Sequence, residues 1–233
     1  RQSEGYGLNL EALEHIISDG TSLVITVDCG ISSYDIVEAV CDRIDIIITD
    51  HHTAPPQIPP ARAVINHKQP DCPYRDKNLS GVGVAFKLCQ ALWLRQCGEW
   101  YLDDLDIVAL GTVADVVPLV GENRIIVQAG LKKMNELPNL GIDKLIDVAG
   151  LHDKTITAGH IGFTLAPRLN AAGRVTHATR AVELLVTDDV DLSETIAQEL
   201  QETNMERQEI ERSIHEEARA NVAAQGHLAD YVT

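Results

Sequence analysis

Residues 44–52 read Ile44-Asp45-Ile46-Ile47-Ile48-Thr49-Asp50-His51-His52. The run from Ile44 to Ile48 is short, apolar and β-branched, the pattern of a buried strand. It runs straight into three side chains that can each donate an electron pair to a metal. Upstream, Leu23 to Val27 is a second such run, and between the two Ile36, Val37 and Val40 fall at helical spacing. Strand, helix and strand in that order make a βαβ unit, which requires the two strands to be parallel. A third apolar run, Ala63 to Ile65, follows the proline-rich turn Pro55 to Pro60, and a loop then extends to about Ser80.

Beyond Ser80 the period changes to that of helices. Helices are predicted over Val82 to Cys97, Leu102 to Val117, Asn123 to Leu137 and Ile142 to Ala149, with Pro118, Pro138 and Gly150 stopping three of them. From Asp189 to about Ala224 there is neither Gly nor Pro, and Leu192, Ile196, Leu200, Ile210 and Ile214 are spaced for one long charged helix. Such a helix spans roughly 50 Å at 1.5 Å per residue, more than one small domain covers, so it is expected to connect to a further domain. The predicted fold class is α/β: a parallel sheet, a helical layer over it, and a long C-terminal connecting helix. The predicted organisation is a core over residues 1–188 and a connecting helix over 189–233.

With 233 residues, 45% of them hydrophobic, the chain can bury a substantial core. No apolar run reaches the roughly 18–20 residues that span a bilayer, and no signal region opens the sequence, so the expected setting is cytoplasmic, away from membranes. Cys29, Cys41, Cys72, Cys89 and Cys97 lack the spacing of a zinc site or disulfide framework and read as reduced, mostly packing residues. The formal charge of −16 argues against nucleic acid as a partner, because phosphate binding is usually carried by clustered Lys and Arg. The objection weakens where acidic residues hold divalent cations, which bring their own positive charge, or where basic surface lies in segments outside this sequence.

In open parallel sheets, reactive groups collect beyond the carboxyl ends of the strands. Two such ends carry acids here: Asp28 in Val27-Asp28-Cys29-Gly30, and Asp50 with His51 and His52. Asp28 alone reads equally as a turn former. Three consecutive potential ligands after an isoleucine strand suit Mn²⁺ or Mg²⁺. Asp115 ends the apolar stretch Ile107 to Ala114, where an unpaired carboxylate is penalised by desolvation unless it caps the helix, faces solvent or meets a cation. A cation shared by these residues would polarise a phosphoryl oxygen and activate water near neutral pH. Further along, Arg168, Asn170 and Arg174 form a dense set of phosphate donors in what reads as a small-residue loop, where a surface salt-bridge role is the alternative. His177 follows as an assisting or merely capping residue. Ser80-Gly81-Val82-Gly83 opens a helix whose amides face either an anion or a tight turn.

Val27-Asp28-Cys29-Gly30, Asp50-His51-His52 and Gly111-Thr112-Val113-Ala114-Asp115 together resemble the second, third and fourth motifs of the DHH phosphoesterase superfamily. Within it, the stretches Ser80 to Leu88 and Leu165 to Arg174 resemble the RecJ-type single-strand-specific exonucleases. The resemblance implies a DHH phosphoesterase domain that hydrolyses single-stranded DNA from 5′ to 3′ with Mn²⁺ or Mg²⁺, in DNA repair and recombination. It implies Asp28, Asp50, His51 and Asp115 as metal ligands, His52 as a ligand or phosphate-oriented acid, and Arg168, Asn170, Arg174 and His177 on the DNA backbone. The family's Asp-x-Asp strand and Gly-Gly-His domain have no counterpart in this sequence, so it reads as part of a longer enzyme whose exposed strand edge favours self-association. Repair or replication proteins are the implied partners. Two other readings stay open: a phosphodiesterase for short oligonucleotides or cyclic dinucleotides, and a non-catalytic DNA- or partner-binding piece.

Overall fold

The computed structural model describes residues 7–175 and 178–225. The chain forms two compact units, Arg1–Asn139 with Thr155–Gly162 and Leu140–Lys154 with Phe163–Thr233.

The first unit is built on a parallel sheet of β1 (Leu23–Val27), β2 (Asp45–Thr49) and β3 (Ala63–Ile65), in that spatial order. Ile25 sits opposite Ile47, and Ile48 opposite Val64. Because side chains alternate across a strand, Val24, Ile46, Ile48 and Val64 share one face. That face packs on α1 (Leu10–Ser18) and on α2 (Tyr34–Glu38) with its flanking turns, giving a core of Leu13, Val37, Val40, Ile44, Ile46 and Ile48. Asn9 caps α1 by accepting from the Ala12 amide. On the other face of edge strand β1, Leu23, Ile25 and Val27 are 46, 46 and 60% exposed. Ile48 is fully buried, so Ile48→Ala should cost about 3–4 kcal/mol of unfolding free energy. A urea denaturation midpoint within error of the parent would contradict this.

Three longer helices complete the unit: α3 (Gly81–Cys97), α4 (Leu105–Ala114) and α5 (Gly121–Glu136). Leu79, Val84, Phe86, Val108 and Ile126 form their shared core. A Cβ on Gly130 would lie 2.2 Å from the Leu105 carbonyl oxygen, so glycine is what lets α4 and α5 approach so closely. Asp106, fully buried in the first turn of α4, accepts from the Lys133 ammonium at 3.2 Å and the Asn139 amide at 2.6 Å, which fixes the helix that leads to Asp115. The short helix α7 (Ala158–His160) also belongs to this unit.

The second unit contains α6 (Leu140–Val148), α8 (Ala166–Val175), α9 (Thr179–Val186) and α10 (Val190–Gln225); the π-helical turn Ile161–Leu165 precedes α8, its first two residues belonging to the first unit. The first half of α10 packs on α6, α8 and α9 through buried Ile196, Ala197 and Leu200. From Ile210 onward its described side chains are exposed. Gly141 lies so close to the Leu184 carbonyl that a Cβ would meet it at 2.1 Å.

The parallel sheet, the helical layer and the long last helix are those read from the sequence. Four differences stand out. Helix α1 was not anticipated, although Leu10, Leu13 and Ile17 are spaced for it. The segment expected to be a loop around Arg168 and Asn170 is helix α8, which buries Ala171 and Ala172 completely. Helix α10 is not separate from residue 189 onward, since its first half belongs to the core of the second unit. Cys41, Cys89 and Cys97 are exposed rather than packing residues.

Candidate metal centre

Two strand ends and one helix end bring the site together in the first unit. Beyond β1 the backbone pairs once more, Asp28 N–H donating to the Thr49 carbonyl at 3.0 Å, and then Asp28 takes φ of 62°. A left-handed residue is uncommon outside glycine, though Asp tolerates it better than most. Thr26 and Thr49 brace the turn: the Thr26 hydroxyl donates to the Cys29 carbonyl and the Thr49 hydroxyl to the Thr26 carbonyl, both at 2.7 Å.

Beyond β2, Asp50 is buried and its carboxylate is fully engaged. Oδ2 accepts from the Ile31 amide at 2.9 Å. Oδ1 accepts from the His51 and His52 amides at 2.7 and 3.1 Å and meets His52 Nδ1 at 2.7 Å. Burial by itself would raise the pKa of this group, but these donors together hold it below the usual carboxylate value.

His51 turns the other way. Its Nδ1 lies 3.2 Å from the Leu79 carbonyl, which can only accept, so Nδ1 carries a hydrogen. Nε2 then faces Asp28 Oδ1 at 3.1 Å and Asp115 Oδ2 at 3.5 Å. The Asp28 carboxylate raises the His51 pKa against the opposing effect of burial, and Asp115 adds to the rise. The pocket therefore favours positive charge at this position.

Asp115 is the C-cap of α4, with its carboxylate at the negative end of the helix dipole. Burial raises its pKa, with His51 pulling it down and Asp28 pushing it up. Asp28, His51 and His52 present ligand atoms within 4.8 Å of one another. Asp28 Oδ1 and His51 Nε2 are sealed from solvent and face each other at 3.1 Å, and with Nε2 unprotonated neither has a hydrogen-bond partner. Orphaned buried atoms of this kind are costly. A divalent cation among these oxygens and imidazole nitrogens would satisfy both, and the mixed set suits Mn²⁺ or Mg²⁺.

Of three residues that support the site, Asn66 and Leu79 went unread in the sequence, and Gly81 was read only as part of a helix start or tight turn. Asn66, just past β3, donates to the His52 carbonyl at 2.9 Å; the strand-end rule applied to β3 would have found it. Gly81, in the first turn of α3, packs on Asp28 so tightly that a Cβ would lie 2.1 Å from Oδ1. Leu79 holds the His51 ring through its carbonyl. Ser80 caps α3 by accepting from Gly83 N and also bonds the Thr112 hydroxyl at 2.9 Å, joining the start of α3 to α4.

The other predicted residues lie in the second unit. The Arg168 guanidinium donates to Gln201 Oε1 at 2.7 Å and to the Thr164 carbonyl at 2.5 Å, and burial lowers its pKa. Asn170 is exposed on α8. Arg174 is on the same helix with its side chain outside the described residues, and His177 lies outside them altogether.

Residues 4–112 match the DHH family, N-terminal domain. The chain is 43% identical over 227 residues to the single-stranded-DNA-specific exonuclease RecJ of Bacillus subtilis (strain 168), a match that covers 97% of this chain and 28% of that protein. It is 41% identical over 232 residues to the Escherichia coli (strain K12) protein of the same name, covering 94% of this chain and 40% of the relative. The chain thus spans well under half the length of these relatives. A crystal structure of exonuclease RecJ bound to manganese superposes with a TM-score of 0.83 at 34% identity, over 92% of this chain and 54% of the other. The Mn²⁺ complex of RecJ from Thermus thermophilus gives 0.78 at 33% identity, over 88% of this chain and 31% of that one.

Proposed function

The chain belongs to the DHH family, and from that premise we propose that it is the metal-binding part of an exonuclease hydrolysing single-stranded DNA from the 5′ end. The observation that carries this reading is the convergence of Asp28, His51, His52 and Asp115 around two buried atoms that lack hydrogen bonds. Asp28, His51 and Asp115 would hold Mn²⁺ or Mg²⁺, which supplies Lewis-acid polarisation of the scissile phosphoryl group and a lowered pKa for attacking water.

The remaining chemistry belongs to the chain's own residues. Asp50, read from the sequence as a ligand, is assigned here to holding the ligands, because its oxygens already accept Ile31, His51 and His52 donors. Asp50 orients the His52 ring through Nδ1, so that Nε2 is the nitrogen available as a ligand or as proton donor to the leaving oxygen. Asn170 and Arg174 on α8 are assigned to the DNA backbone. Arg168, tied to Gln201 and Thr164, is assigned to fixing that helix as well as to phosphate. Repair or replication proteins as partners, self-association through the β1 edge, and a cytoplasmic setting belong to the same proposal. Among the described residues no helix is long and apolar enough to cross a membrane.

The test is incubation of a 5′-labelled single strand and its duplex with the chain in Mn²⁺ and then in EDTA. Release of mononucleotides from the single strand only, abolished by EDTA, is the expected result. Equal cutting of the duplex would overturn the substrate assignment, and an intact single strand in Mn²⁺ would overturn the activity for this chain.

A further inference from the structure

Among the described residues two non-glycines have positive φ, Asp28 and Val116 at 62° and 59°. Asp28 is a site residue whose conformation has an evident use. Val116 is not. It follows Asp115, the C-cap of α4, and so occupies the left-handed position that glycine usually fills at a helix end. Its amide closes the helix by donating to the Val113 carbonyl at 3.2 Å, a bond that any residue except proline would make. A β-branched side chain is among the least suited to this conformation. The isopropyl group is also 87% exposed, so packing within the chain does not compensate. Folding would be served better by Gly or Asn.

The position lies one residue from Asp115, whose carboxylate is 3.5 Å from His51 Nε2. Leu119 and Val120, on the same link between α4 and α5, are also apolar and 37 and 52% exposed. The backbone bond to Val113 and the adjoining C-cap Asp115 set the place of Val116 relative to the ligand atoms. Phosphate is the part of a nucleotide drawn to the cation site. The deoxyribose C–H groups and the face of the base are the parts that gain from an apolar wall, and neither encodes sequence.

We propose that Val116 is a substrate-positioning residue, forming an apolar contact with the sugar and base of the nucleotide whose phosphate enters the metal centre. The proposal rests on the exonuclease reading above. Two variants remove the contact while suiting the backbone: Val116→Gly, and Val116→Asn, which keeps a side chain but makes it polar. Val116→Ile keeps the branched apolar group.

In Mn²⁺, Val116→Gly and Val116→Asn should raise KM for a single strand about tenfold with kcat little changed, the mark of a contact made before and during the reaction. Fluorescence anisotropy of a labelled oligonucleotide should show the same loss of affinity. Val116→Gly should also melt roughly 2–4 °C higher than the parent. Val116→Ile should stay within about twofold of the parent in KM and affinity. Unchanged KM and affinity in Val116→Gly would overturn the proposal, as would an equal loss in Val116→Ile, which would mark the effect as loop geometry. A parent chain that neither binds nor cuts the strand would overturn the exonuclease reading, and this inference with it.

Discussion

Asp115→Asn should reduce Mn²⁺-dependent cleavage at least about a thousandfold, the scale on which removing a charged group from a reacting centre acts. The substitution keeps shape and removes charge. An amide at 3.5 Å from His51 Nε2 leaves Asp28 as the remaining carboxylate facing that nitrogen. Stability should move the other way. Burial holds the Asp115 pKa above its ordinary value, so the ionised form is penalised by folding. That penalty is fully present at pH above the raised folded value, fades as pH falls from there toward the unfolded value, and is absent below it. Asn removes it, and at pH 7 without metal the variant should melt no lower than the parent. The parent should gain about 2.7 kcal/mol at an Mn²⁺ concentration one hundred times Kd, and the variant should lose most of that gain. Melting curves with and without Mn²⁺ check both statements, and full activity in Asp115→Asn would refute its role.

The second large effect is expected from a residue without functional atoms. Gly81→Ala places a methyl group 2.1 Å from Asp28 Oδ1 and 2.6 Å from its Cβ. Asp28 cannot simply rotate away, because the clash includes the Cβ carbon, which rotation about χ1 does not move, and the backbone already sits at φ 62°. Ala is otherwise the better helix residue by about 0.5–1 kcal/mol. Loss of metal binding should therefore exceed any loss of stability: roughly a hundredfold weaker Mn²⁺ binding by calorimetry, with melting within a few degrees of the parent. Gly159→Ala is the control, since its Cβ would meet one atom, the Thr157 hydroxyl, at 3.6 Å. Equal Mn²⁺ affinity in parent and Gly81→Ala would show that Asp28 is not held as described.

The strands were legible because each is a short β-branched run ending in polar residues, and the acids at their ends followed from the carboxyl-end rule. Helix α8 was not legible. Pro167, Asn170 and Gly173 argue locally against a helix, and what overrides them is burial of Leu165, Ala171 and Ala172 in the second unit. Asp50 shows a different limit. The sequence displays a carboxylate beside two imidazoles, but whether its lone pairs face a cation or the backbone depends on where Ile31 lies in space. Gly81 was visible as part of a helix start, while its contact with Asp28, 53 positions earlier, is a tertiary fact.

The engagement of Asp50 has a thermodynamic consequence for the ion. Its carboxylate ties the turn after β1 to the turn after β2 through Ile31, His51 and His52. The conformational entropy of those turns is therefore lost when the chain folds, not when an ion arrives. Capture then carries little further ordering cost, as in any preorganised site. Discrimination between Mn²⁺ and Mg²⁺ falls to the ions themselves, through the reluctance of Mg²⁺ to shed water and the greater affinity of Mn²⁺ for imidazole nitrogen.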